Sequence, residues 1–244
     1  MAEFFNFKIE RADGLGFALF AEEHMAYMLL CAALIGQLCL LYLAGGSKRR
    51  RALDLGLALG TVALELTRAL LLALSGEYGV GHLPLHLCTM AVYILLFHSL
   101  CRGRLTGQFL FAFCMPGAAA AILMPDWSYY PPLHFMTVCG FLLHALIVAY
   151  PLMLTLGGDL RPDVRQLPKC LGLMLLLAAP VYVFDRLFDT NYMFLNWPPE
   201  NTPLAWFGFM GRPFYVLAYL PMLAAVWAVL YMPFWIKGKK ERTE

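Results

Sequence analysis

The stretch "HLPLHLC" sets His82, His86 and Cys88 within seven positions, and a fourth such group, His144, stands alone in "CGFLLHALIVAY". Two chemistries follow from these residue types. A thiol with an imidazole in reach is an activated nucleophile, because the ring accepts the thiol proton and the thiolate attacks an acyl carbon. Two histidines four residues apart on one helix face have the spacing of metal ligands. Pro84 weakens that second reading, since proline is tolerated in the first turn of a helix and not in its interior, which puts His82 ahead of the helix that carries His86. The last apolar run contains no histidine to add further ligands, so neither a metal nor another cofactor is expected. His144 is a lone imidazole among apolar neighbours and must find a partner or stay unsatisfied. Spacing alone leaves it either a satisfied packing residue or a catalytic base.

The elements that position these groups are membrane spans. Of 244 residues 61% are hydrophobic and only 14% charged, with a mean hydropathy of +0.67. The net charge of +2 is too small to imply a nucleic-acid partner. A spanning helix needs about 20 apolar residues. Seven runs qualify, near 22–44, 52–75, 83–101, 107–124, 134–156, 170–188 and 213–236. The expected fold is all-α: a seven-transmembrane helix bundle, one domain over 1–244, of a multi-pass cell-membrane protein. The acidic N-terminal stretch lacks the features of a signal peptide and is expected to remain, with residues 1–21 forming an interfacial segment through Phe4, Phe5 and Phe7.

Lys and Arg set the orientation. Lys48 to Arg51, Arg102 and Arg104, Arg161, Arg165 and Lys169, and the tail residues Lys237, Lys239, Lys240 and Arg242 fall on alternate loops, whereas "SGEYGVGH", "MPDWSYYPP" and 189–211 carry none. The N-terminus is therefore expected outside and the C-terminus in the cytosol. Seven cysteines, an odd number with no CxxC, argue against a disulfide framework. Most read as packing residues. Cys88 alone has polar company.

Ionisable residues at membrane depth are costly and each is a functional hypothesis. Glu65 lies about 20 Å along span two, past the midplane, with Arg68 one turn further out. His86 and Cys88 lie within roughly 10 Å of the outer end of span three, and His144 about 15 Å into span five. His24 opens span one on the same side. The polar groups therefore collect in the outer half of the bundle. Glu65 and Arg68 in "ELTR" have the spacing of an intrahelical ion pair and also of cavity-lining groups. His86 reads as a wetted interfacial residue or a cleft residue, and His98 as interfacial at the inner end.

In span four, Pro116 is expected to kink the helix, and Gly117 with Ala118 to Ala121 offers a thin face for close packing or for a lipid chain. The segment 189–211 reads as a loop resting Tyr192, Phe194 and Trp197 in the interfacial belt, or as a lid from which Asn191 hydrogen-bonds a substrate carbonyl or a histidine.

"LPLHLC" opening a span, "FLLHALIV" with its isolated histidine, and "TNYMFL" followed by a proline pair resemble the YwaF-type bacterial integral membrane proteins, which are related to the animal transmembrane protein 164 family. The resemblance covers nearly the whole chain. It implies transfer of a fatty acyl chain from a phospholipid to a lysophospholipid, with Cys88 as nucleophile and His144 as its histidine. Those are the two residues that depth also favours. The expected site is Cys88 and His144 for catalysis, with His86, Glu65, Arg68, Asn191, Tyr192 and His24 binding substrate. The expected partners are the bilayer and a membrane phospholipid or lysophospholipid. The alternative is a small-molecule transporter or ligand-binding protein using the same polar cleft, although no internal repeat is evident.

Overall fold

The structure, a computed structural model, describes residues 4–9, 13–199, 202–212 and 214–240. Arg242 and parts of the N-terminal segment fall outside the described residues. Among the described residues seven apolar helices follow one another: α1 (Glu22–Leu43), α2 (Ser47–Ser75), α3 (Leu87–Cys101), α4 (Arg104–Leu123), α5 (Phe135–Leu156), α6 (Leu167–Phe188) and α7 (Tyr219–Lys240). Among the described residues, six are long and apolar enough to cross a membrane. The exception is α3, whose 15 residues extend about 22 Å, short of the ~30 Å hydrocarbon layer. Backbone polar groups have no partner in hydrocarbon, so helices that satisfy them internally are the expected response to such a sequence.

α5 is the central helix, packed against α1, α2, α3 and α4 and buried on most faces from Thr137 to Leu154. α1, α6 and α7 lie outside, turning leucines such as Leu29, Leu30, Leu175, Leu176 and Leu187 outward. Outward-facing leucine suits a lipid environment, where no aqueous penalty opposes it.

Each end of the bundle has its own chemistry. At one end Arg50 donates to the carbonyls of Tyr42, Gly45 and Gly157, Arg102 pairs with Asp54 and Arg104 with Asp163. This basic end joins the α1–α2, α3–α4 and α5–α6 connections. The opposite, aromatic end gathers residues 76–86, 124–134, 189–199, 202–212 and 214–218. The N-terminal segment packs there, with Phe4, Phe5 and Phe7 against Phe135 and the Phe135 amide donating to the Phe4 carbonyl at 3.0 Å.

Pro116 acts through the turn before it. Residues Leu110–Cys114 widen into a π-helical stretch. A proline cannot donate to the carbonyl four residues back and its ring crowds that carbonyl, which here belongs to Ala112. The freed oxygen accepts the Trp227 indole N–H from α7 at 2.8 Å. Gly117 packs against Leu87 of α3, whereas Ala120 on the same stretch stays exposed.

Candidate functional site

The 189–199 connection is built around the buried Asp185. α6 stops at Asp189, in left-handed conformation with φ 51°. The Asp185 carboxylate then accepts the Thr190 hydroxyl at 2.7 Å and the Tyr192 amide at 2.9 Å. Asn191 accepts the amides of Asn196 and Trp197 and donates to the Trp197 carbonyl. Asn196 donates to the carbonyls of Asp185 and Thr190 and accepts from Arg186 and Arg212. Tyr192 crosses to the 80–86 segment, donating to the Val80 carbonyl at 2.6 Å and accepting the Leu83 amide at 2.8 Å. Burial raises its phenol to about 12, so it remains a donor throughout the physiological range. The loop is therefore a clamped wall, fixed by its own polar side chains.

Behind this wall is a cavity of about 470 Å³, lined by His86, Asp126, Asn191, Tyr192, Phe194 and Trp197 among others. His86 precedes the first turn of α3 and its Nδ1 accepts the Met193 amide at 3.3 Å. In the neutral ring that leaves the proton on Nε2, a donor. Tyr192 meets the His86 ring edge-on at 4.9 Å.

His144 lies deeper, 8% exposed, on the central helix. Its Nδ1 donates to the Gly140 carbonyl at 2.7 Å, leaving Nε2 as a lone-pair acceptor. The Trp127 indole stacks on the ring at 4.6 Å. Gly140 makes this possible, because a Cβ there would lie 2.7 Å from Trp127 Cε2. Among the described residues the Trp127 Nε1–H is buried without a hydrogen-bond partner. His86 and His144 are close enough to interact electrostatically, and Asp126 and Arg68 are in the same range of His86. The two imidazoles thus have complementary forms, one holding a donor at Nε2 and the other an acceptor.

Cys88, half-buried in the first turn of α3, packs against the core and sits within electrostatic range of Cys114. No hydrogen bond joins its Sγ to His144, although their helices pack together. Cys88 and His144 do not line the cavity. Glu65 and Arg68 form the bidentate intrahelical pair, at 2.9 and 2.6 Å, and Arg68 is within electrostatic range of His82, His86 and Tyr192. His24 is fully buried away from the cavity, accepting the Phe20 amide at Nδ1 and meeting the Ile122 carbonyl at Nε2, each at 2.9 Å. Both its nitrogens pin the entry of α1 and neither is left for a substrate. Asn191 reaches the cavity wall but commits its amide to the loop backbone. His82 lies in a separate turn, Val80–His82, ahead of α3 and does not share a helix with His86. Burial holds its imidazole below the usual histidine range.

The family model described as the TMEM164 family matches residues 19–231. The chain belongs to the TMEM164 family. No curated protein and no solved structure matches it. The matched span covers every residue of the site just described, and with its apolar helices it identifies a multi-pass membrane protein of the TMEM164 family.

Three residues of this TMEM164-family site escape sequence reasoning. Asp126 and Trp127 stand in "MPDWSYYPP", where the absence of Lys and Arg is the visible signal, yet an acidic residue beside tryptophan at a span end is itself a cue. Gly140 resembles any other small residue of a membrane helix. His98, expected at an interface, is buried, with Nδ1 on the Tyr150 hydroxyl at 3.0 Å.

Proposed function

We propose that this protein transfers or hydrolyses acyl chains of a membrane phospholipid, with Cys88 as nucleophile and His144 as base, in a seven-crossing bundle in which α3 completes the count. By the positive-inside rule the basic end faces the cytosol and the aromatic end, with the cavity, faces outward. The observation that carries the reading is His144: a buried imidazole with Nε2 unprotonated, beside an indole N–H that lacks a partner. A base with its tautomer fixed by a backbone carbonyl and a donor held ready alongside are the two groups acyl transfer requires. The choice of Cys88 rests on its depth and on the resemblance.

In this mechanism His144 Nε2 takes the Cys88 proton and the thiolate attacks the ester carbonyl. The Trp127 Nε1–H and the His86 Nε2–H, with Arg68 nearby, stabilise the oxyanion, each such donor contributing about 3 kcal/mol in comparable sites. Collapse breaks the ester bond, and the departing lysolipid alkoxide takes the proton from His144. A lysophospholipid hydroxyl or water then attacks the thioester, giving its proton to His144, and the released thiolate recovers it. The Met193 amide orients the His86 ring, and Tyr192 holds the loop over it.

Metabolic labelling with a clickable fatty acid tests this. Wild type is expected to carry a hydroxylamine-sensitive label that Cys88→Ala loses and that accumulates slowly in His144→Gln. Equal label in Cys88→Ala and wild type refutes the thioester.

A further inference from the structure

The basic end holds a second cavity, of about 310 Å³, lined by Tyr42, Gly45, Gly46, Ser47, Arg50, Arg51, Arg102 and Asp159. Its polar groups play no part in the chemistry above. Three arginines line it against one aspartate. Arg50 is occupied, donating to the carbonyls of Tyr42, Gly45 and Gly157 and to Asp159. It forms the back of the cavity.

Arg51 and Arg102 are different. Both converge on one carboxylate oxygen of the fully buried Asp54, each through a single terminal nitrogen, and Arg51 uses that same nitrogen for the Ser99 carbonyl. Their side chains stay 44% and 38% exposed. Two cations gathered on one anion leave a net positive charge, and each guanidinium keeps further N–H donors in a fixed fork. Arg102 is directed there by its left-handed backbone, φ 53°, which ends α3. The start of α2 opens on the same space. Its N-cap is Gly46, with no capping side chain, and its first turn has no acidic residue but instead Lys48, Arg49 and Arg50. Helix starts ordinarily attract carboxylates that balance the dipole, and this one carries cations beside an open cavity. The guanidinium pair, the uncompensated charge and the open cavity beside them all point to an anion.

We propose that this cavity binds a phosphate group, on a lipid headgroup or free in solution, between the guanidiniums of Arg51 and Arg102 and the first-turn amides of α2. Planar guanidiniums recognise phosphate oxygens in bidentate fashion, and helix N-termini supply further N–H donors. The site lies at the opposite end of the bundle from His86 and His144 and stands or falls independently of the acyl chemistry.

Gly46→Asp provides the test. Gly46 has φ −71° and ψ 173°, which any L-residue adopts, and nothing lies within 4 Å of an added Cβ. An aspartate there caps α2 with its own carboxylate and occupies the anion's place, so it should hold or raise thermal stability while blocking the site. Purified protein in maltoside micelles, which carry no phosphate, would be titrated with inorganic phosphate. In a second arm, phosphatidylcholine nanodiscs with and without phosphatidylglycerol would be compared by thermal unfolding and by native mass spectrometry of retained lipid. Wild type is expected to be stabilised in at least one arm, with affinity at least about tenfold weaker in Gly46→Asp. Arg51→Gln, which keeps a donor for Asp54 and removes one charge, is expected to weaken binding in the same arm. A response confined to phosphatidylglycerol assigns the phosphate to a headgroup, and a response to inorganic phosphate alone assigns it to a soluble ligand. No response of wild type in either arm, or undiminished binding in both variants, overturns the proposal.

Discussion

The Glu65–Arg68 pair can be taken apart quantitatively. Glu65 is 3% exposed and the Arg68 side chain 14%, joined by two hydrogen bonds of 2.9 and 2.6 Å. Replacing Arg68 with leucine leaves a carboxylate in the interior without its counter-ion, a change that costs about 3–5 kcal/mol in buried pairs. In a chain of this size that corresponds to a Tm loss of roughly 6–20 °C. Replacing both residues, as Glu65→Leu with Arg68→Leu, removes both charges together, and buried pairs exchanged for apolar residues are commonly neutral or better. The double variant is therefore expected to recover most of the loss. The assay is thermal unfolding of detergent-purified protein, followed by fluorescence-detected size exclusion after heating, for wild type, both single variants and the double. Fatty-acyl labelling on the same four proteins then separates the roles of the pair. Recovered stability with unrecovered labelling assigns the pair to the reaction, and recovery of both makes the pair purely structural. A single-variant loss below about 1 kcal/mol, the range of exposed pairs, would refute the reasoning, because it would mean the pair is solvated.

Further expectations follow from single contacts. Trp227→Phe keeps an aromatic side chain, smaller than the indole, and removes the donor from the Ala112 carbonyl freed by Pro116, so it should cost about 1–3 kcal/mol by thermal unfolding, and no loss would mean that the carbonyl finds another partner. Gly140→Ala puts a Cβ 2.7 Å from Trp127 and should destabilise by about 1–3 kcal/mol while shifting tryptophan emission; unchanged emission would contradict the Trp127–His144 stack. The folded His82 pKa is depressed, so the unfolded chain binds the proton more readily and stability should fall as pH drops through about 6.5. His82→Gln should flatten that part of the Tm–pH curve, and identical slopes would exclude the burial effect.

Composition and run length determined the class of this protein on their own. Apolar runs of spanning length admit only helices in lipid, so the all-α membrane fold and the segregation of the Lys/Arg loops at one end were readable residue by residue, whereas the family rested on the resemblance of "LPLHLC", "FLLHALIV" and "TNYMFL". So was the pairing of Glu65 with Arg68, because three residues along a helix is a local distance. Pro116 was readable as a disturbance, whereas its form, a π-stretch whose freed carbonyl is met by Trp227, needed a helix more than a hundred positions away.

Tertiary structure alone decided which polar groups share a space. The sequence set His24, His86, His98 and His144 at different depths and did not give the partner of any. Folding pins the first with two backbone partners, turns the second into a donor over a cavity, buries the third on Tyr150 and gives the fourth a free Nε2 beneath Trp127. Asn191 likewise became the clamp of its own loop. The physical reason is that a side chain's protonation and free valence depend on which partner reaches it first, and those partners come from distant segments that no local period encodes.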